Sequence, residues 1–150
     1  MIRFGRSVPG DVEQRLRKLV GVFASDPRLD ALWLFGSRAR GEADALSDID
    51  LAVLASANTD PASLWDLQLK WTGKAVEILA TDEVAITVLN RARVTIREAV
   101  LRDARLLWAR SSERVADFDA ATAKEYLDIK PHLEAYDRDL LHQAAAGRLR

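Results

Sequence analysis

The 150-residue sequence predicts an α/β (α+β) fold: a small mixed β-sheet flanked by helices, followed by a C-terminal helical tail. Two observations carry this. Short apolar runs of strand length alternate with segments whose apolar residues recur at helical spacing. From about Ser112 the character changes to a polar, alanine-rich stretch with a single apolar stripe.

Taken in order, Pro9-Gly10-Asp11 reads as a turn and helix cap, and Val12, Leu16, Leu19, Val20 and Phe23 then follow at helical spacing. Asp26-Pro27 ends that helix, and Leu29 to Phe35 reads as a buried strand. Ser37 to Gly41 is expected to open a short helix and Glu42 to Ser47 to form a loop. Ile49 to Leu54 is the second strand, with Ile49, Leu51 and Val53 on one face and Asp48, Asp50 and Ala52 on the other.

Asp60-Pro61 marks a helix start, a cap followed by proline at the first helical position. That helix is expected to stop at Thr72-Gly73, with Ala75 to Ala80 as a third strand. Glu83 to Asn90 and Thr95 to Arg102 read as helical, and Arg105 to Trp108 as a short edge strand. In the tail, Val115, Phe118, Ile129, Leu133, Tyr136 and Leu140 form the stripe, and Pro131 is expected to kink or divide the helix. The four tryptophans read as core or core-edge residues, with Trp71 the one expected to be exposed. Residues 1–110 are therefore expected to form the body, and 111–150 a helical tail that packs or binds a partner.

Composition narrows the chemistry. A net charge of −1 provides no field that recruits nucleic acid, and no direct nucleic-acid contact is expected. With no cysteine there is no disulfide, thiolate metal site or cysteine nucleophile. Both histidines, His132 and His142, lie in the tail. No apolar run approaches the roughly 20 residues that span a bilayer, and the N-terminus has no signal-peptide pattern; a cytoplasmic protein is expected.

The chemistry concentrates in Leu32 to Leu54, LWLFGSRARGEADALSDIDLAVL. An apolar run ends in Gly36-Ser37, a turn that can offer backbone N–H groups to phosphate. Asp48 and Asp50, two apart on a strand, point the same way and are placed to share hard divalent cations.

Gly36-Ser37, ten residues, then Asp48-Ile49-Asp50 resembles the signature of the DNA polymerase beta-type nucleotidyltransferase superfamily. More closely, the chain resembles its minimal nucleotidyltransferases, which are often paired with a HEPN-domain protein. The resemblance implies a two-metal nucleotidyl transfer with Mg²⁺, two ions in all, and ATP as substrate. Asp48 and Asp50 would be metal ligands and catalytic. Gly36, Ser37 and one of Arg38 and Arg40 would bind the triphosphate. The superfamily's third carboxylate corresponds to Glu77 in the run Ala75 to Leu79, with Asp82 as the other candidate.

The chain has no room for a nucleic-acid-binding domain. The resemblance therefore implies an antitoxin-type enzyme that transfers AMP to a hydroxyl, a tyrosine's, of a HEPN ribonuclease toxin in a hetero-oligomer. Two other readings are a non-catalytic antitoxin that neutralises its partner by binding, and a small-molecule nucleotidyltransferase of the aminoglycoside type.

Overall fold

The computed structural model describes residues 10–36, 39, 41 and 48–147. Ser37, Arg38, Arg40 and the expected loop at 42–47 lie outside the described residues.

Helix α1 (Val12–Ala24) leads into strand β1 (Leu29–Phe35), and strand β2 (Ile49–Ala55) runs back beside it. Helix α2 (Pro61–Leu79) returns the chain so that strand β3 (Val84–Val88) pairs parallel to β2. One 3-10 turn (Leu89–Arg91) leads to helix α3 (Val94–Asp103), then to strand β4 (Arg105–Ala109) and helix α4 (Ser112–Ala145). The sheet order is β3-β2-β1-β4, with β4 antiparallel to β1. A mixed sheet with helices on both faces is the predicted class.

Alternation along the strands sends side chains into two cores. Leu32, Leu34, Leu51, Val53, Ile86 and Val88 face α1 and α2, where Leu19, Phe23, Leu67, Trp71, Ala75 and Leu79 meet them. Ala31, Trp33, Ala52 and Leu54 face the other way, toward Val100 of α3 and Val115 and Phe118 of α4. Asp50 belongs to this second face, since the pairs Ala52–Trp33 and Asp50–Phe35 share it.

The structure corrects the reading of residues 72–90. Helix α2 does not stop at Thr72-Gly73 but continues to Leu79, and the strand expected at Ala75 to Ala80 is its last turns. Leu64, Leu67, Trp71, Ala75 and Leu79 form one buried stripe at helical spacing, and burying it outweighs the roughly 1 kcal/mol cost of a helical glycine. Thr72 Oγ1 donates to the Gln68 carbonyl one turn back, which removes its competing turn geometry. The third strand is instead Val84–Val88, read from sequence as helix; its β-branched, alternating pattern suits an edge. Gln68 Nε2 donates to the Ile86 carbonyl at 2.7 Å, and Arg91 donates to Gln68 Oε1, which covers part of this edge.

Trp71 is buried, with its indole N–H donating to Asp26 Oδ2 at 3.2 Å. Trp65 is the exposed tryptophan, stacked beneath the Arg91 guanidinium at 3.7 Å. These two assignments are the reverse of the expectation.

The end of β2 opposite the aspartates is held by Asn90. Its Oδ1 accepts from the Ala55 N–H at 2.8 Å and its Nδ2 donates to the Ala55 carbonyl at 2.9 Å, as a strand partner would. Arg114 of α4 reaches Asp30 of β1 at 3.0 Å. Arg110 donates to the carbonyls of Asp26 and Leu29, tying the end of β4 to the start of β1. Helix α4 is continuous through Pro131, so the expected division does not occur. Beyond Thr122 no described residue of α4 is fully buried: Ile129, Leu133 and Leu140 of the expected stripe are half-buried, and Leu127, Tyr136 and Leu141 are exposed. Among the described residues no helix is long and apolar enough to cross a membrane.

Candidate active site

The site forms where β1 ends and β2 begins. These strands are antiparallel neighbours, so the last residues of one lie beside the first residues of the other, and Phe35 pairs with Asp50. Gly36, the next residue, has φ +77°, a left-handed conformation that glycine adopts without a Cβ clash. The space beside it is also closed to a side chain. A Cβ built on Gly36 would stand 2.5 Å from Asp50 Oδ2. Backbone conformation and close approach therefore both require glycine, and the turn lies directly against the carboxylate.

Asp50 is partly buried and Asp48 exposed. Burial, and then the charge of Asp48, push the Asp50 carboxyl above the usual carboxylate range. Among the described residues no cation or hydrogen-bond donor offsets these two effects at Asp50. A half-buried carboxylate beside a like charge suits a divalent cation, which prefers oxygen ligands and would reverse that upward push. The residues present thus fit a metal ion, with Asp48 and Asp50 as the side chains that would hold it.

The structure does not bring Glu77, the expected third carboxylate, beside Asp48 and Asp50. Glu77 is exposed on α2, the helix that covers the face of the sheet opposite Asp50. The strand that does flank β2 carries Val84, Ala85, Ile86, Thr87 and Val88, and the residue in register with Asp50 is Ala85. Asp82 lies just before that strand, in the turn that brings the Glu83 carbonyl to the Ile49 N–H at 2.8 Å. Among the described residues no group of three His, Asp or Glu side chains is arranged to hold a metal. Ser37, Arg38 and Arg40, expected at the phosphates, lie outside the described residues.

The sequence reading missed an apolar cleft beside the turn. Phe35 and Gly36 form one wall and Ile96, Ala99, Val100 and Asp103 of α3 the other, enclosing about 320 Å³. The spacing of Ile96, Ala99, Val100 and Asp103 on one helix face was the available signal. A larger cavity of about 430 Å³, lined by Arg28, Ser56, Asp60 and Lys70 among others, lies near the other end of β1 and β2, so size alone does not locate the chemistry.

Comparison with known proteins places the whole chain. The chain is 28% identical over 121 residues to the protein adenylyltransferase MntA of Shewanella oneidensis, covering 81% of this chain and 80% of that protein. A crystal structure of a toxin–antitoxin with AMP-PNP superposes with a TM-score of 0.68 at 26% identity, covering 86% of this chain and 98% of that one. A crystal structure of the toxin–antitoxin MntA-HepT matches with a TM-score of 0.62 at 25% identity, covering 86% and 96% respectively. The polymerase beta nucleotidyltransferase family matches residues 17–113, which is most of the chain from α1 to the start of α4, and the chain belongs to that family.

Proposed function

We propose that this chain transfers AMP from ATP to a tyrosine hydroxyl of a HEPN ribonuclease toxin, and so acts as that toxin's antitoxin in the cytoplasm. The observation that carries the reading is the close approach of the Gly36 backbone to Asp50, which sets a glycine able to admit a phosphate against a paired carboxylate site. The similarity to a protein adenylyltransferase and to a complex holding AMP-PNP supports ATP as donor and protein as acceptor.

In this reading Asp48 and Asp50 hold Mg²⁺, two ions in the full site, which supply charge stabilisation at the α-phosphate. Gly36 lets the backbone approach the triphosphate, and Ser37 with Arg38 or Arg40 holds the departing pyrophosphate. The acceptor oxygen forms a bond to the α-phosphorus while the bond to the bridging oxygen breaks. Pyrophosphate leaves with that electron pair, and the hydroxyl proton passes to solvent. A toxin so modified gains bulk and negative charge where RNA phosphates must enter.

The test is mass spectrometry of the cognate HEPN toxin that this reading requires, after incubation with this chain, ATP and Mg²⁺. A gain of one or more AMP groups is expected, and it is lost with Asp48→Asn plus Asp50→Asn. An unchanged mass, with both proteins folded, overturns the reading.

A second reading is favoured by one observation: Leu127, Tyr136 and Leu141 are exposed along α4. There the tail, residues 111–150, docks on the partner and neutralises it by occlusion, without catalysis. Full neutralisation by the double Asn variant would support it against the first.

A further inference from the structure

We propose that the acceptor side chain reaches the transfer site across β3, over Ala85, and that the small side chain there sets how large an acceptor the site admits. This rests on the AMP-transfer reading above and specifies its second substrate's route.

The sheet gives Asp50 two neighbours on its own face. Phe35 pairs with it from β1 and Ala85 from β3, and residues paired in adjacent strands project to the same side. Gly36 follows Phe35 directly, so the turn that takes the phosphates lies on the β1 side of Asp50. In-line displacement requires the attacking and leaving oxygens on opposite sides of the phosphorus. With the leaving group on the β1 side, the acceptor must come from the β3 side.

That side is built low. Ala85 is exposed, and its neighbour on the same face, Thr87, pairs with Ala52. From Val84 to Val88 the strand has no aromatic and no ionisable side chain. A tyrosine ring lying over such a floor needs about 3.5–4 Å of clearance between carbon atoms; a methyl group permits this and a larger side chain occupies it. The β1 side is tall instead: Phe35, Ile96 and Val100 wall the cleft beside Gly36. That cleft stands on the leaving-group side and is not the acceptor's route.

Enlarging residue 85 tests the route. In the series Ala85→Val, Ala85→Leu and Ala85→Phe, transfer to the HEPN partner is expected to fall progressively, by about tenfold or more at Phe, a change of about 1.4 kcal/mol in the barrier. AMP-PNP binding measured by calorimetry is expected to stay within about twofold, because the nucleotide lies on the other side. Residue 85 is exposed, so the variants are expected to fold, and their thermal melts check this.

A second measurement uses the absence of cysteine. Ala85→Cys carries the sole thiol, and a benzophenone attached to it is expected to photocrosslink the partner segment bearing the modified tyrosine. The same probe at Glu77→Cys, on the far face, is not. Wild-type transfer by Ala85→Phe, or crosslinks from residue 85 only to other segments, overturns the route and leaves the AMP-transfer reading standing. A wild-type chain that binds nucleotide yet transfers no AMP overturns both.

Discussion

Gly36 and Asp50 are in direct contact across the β1–β2 junction, so close that a methyl group on Gly36 would lie 2.5 Å from Asp50 Oδ2. The strand pairing that brings Phe35 beside Asp50 creates this contact, and Gly36 itself has a φ of +77°. Gly36→Ala therefore strains the backbone and displaces the carboxylate together. The left-handed conformation costs about 1–2 kcal/mol in stability for a residue with a Cβ. Mg²⁺-dependent AMP-PNP binding is expected to fall by at least about tenfold, or about 1.4 kcal/mol. Chemical denaturation and calorimetry check the two effects separately; unaltered nucleotide affinity would contradict the role given to the contact.

Asp50 carries a second expectation because burial and Asp48 raise its pKa in the folded chain. Below the unfolded value of about 3.9 both states are protonated and the group has no effect. As pH rises past that value the unfolded chain ionises first, so the fold loses stability until the folded group also ionises. At neutral pH the metal-free protein is thus less stable for having Asp50. Asp50→Asn is expected to raise the melting temperature without metal while abolishing AMP transfer. Mg²⁺ is expected to stabilise the wild type and not the variant. A variant that melts lower than wild type in EDTA would refute this account of the pair.

The aspartate pair was legible in sequence because its geometry is local: alternate residues on a strand share a face whatever lies around them. β1, β2, α1, α3 and β4 were legible for the same reason, each carrying its own period. Residues 72–90 were not. The run Ala75-Val76-Glu77-Ile78-Leu79 has strand-like composition, and Thr72-Gly73 resembles a stop. Helicity there is decided by tertiary burial of Trp71, Ala75 and Leu79 against α1 and the sheet. Which strand flanks Asp50 is likewise a property of topology, so the residue in register with it, Ala85, could be identified only once β3 was seen beside β2.

Asp26 links three elements. It accepts from the Arg28 guanidinium and backbone N–H and from the buried Trp71 indole, chiefly the Arg28 contacts holding its pKa at about 2. A depressed carboxylate pKa contributes stability above the unfolded value of about 3.9. That contribution is lost as pH falls from about 4 toward 2. Trp71→Phe removes the N–H donor and also leaves a small cavity where the second ring of the indole was, and is expected to cost about 2–4 kcal/mol, of which about 1.5–3 kcal/mol is the hydrogen bond to a charged acceptor. Urea denaturation at pH 7 and pH 2.5 checks both, the difference between wild type and variant narrowing at the lower pH.

Asn90 replaces a strand at the far end of β2, pairing with both backbone groups of Ala55. Asn90→Ala leaves the Ala55 N–H without its partner and the carbonyl with only the 3.5 Å contact from Arg114 Nη2, at an expected cost of about 1–3 kcal/mol. The site lies at the opposite end of β2, so AMP-PNP affinity is expected to be unchanged when the protein is folded. Hydrogen exchange offers the direct readout, with faster exchange at the Ala55 amide.

Glu77 separates the sequence reading from the structural one. If it supplied a third ligand beside Asp48 and Asp50, its removal would impair transfer nearly as severely as theirs. In the structure it is exposed on α2, behind the sheet as seen from Asp50. Exposed positions without such a role change stability by no more than about 0.5 kcal/mol. Glu77→Ala is accordingly expected to transfer AMP within about twofold of wild type, a barrier change under about 0.5 kcal/mol. Initial rates at saturating ATP, measured alongside Asp50→Asn, decide it: a loss comparable to the Asp50 variant would restore Glu77 to the site and require α2 to move.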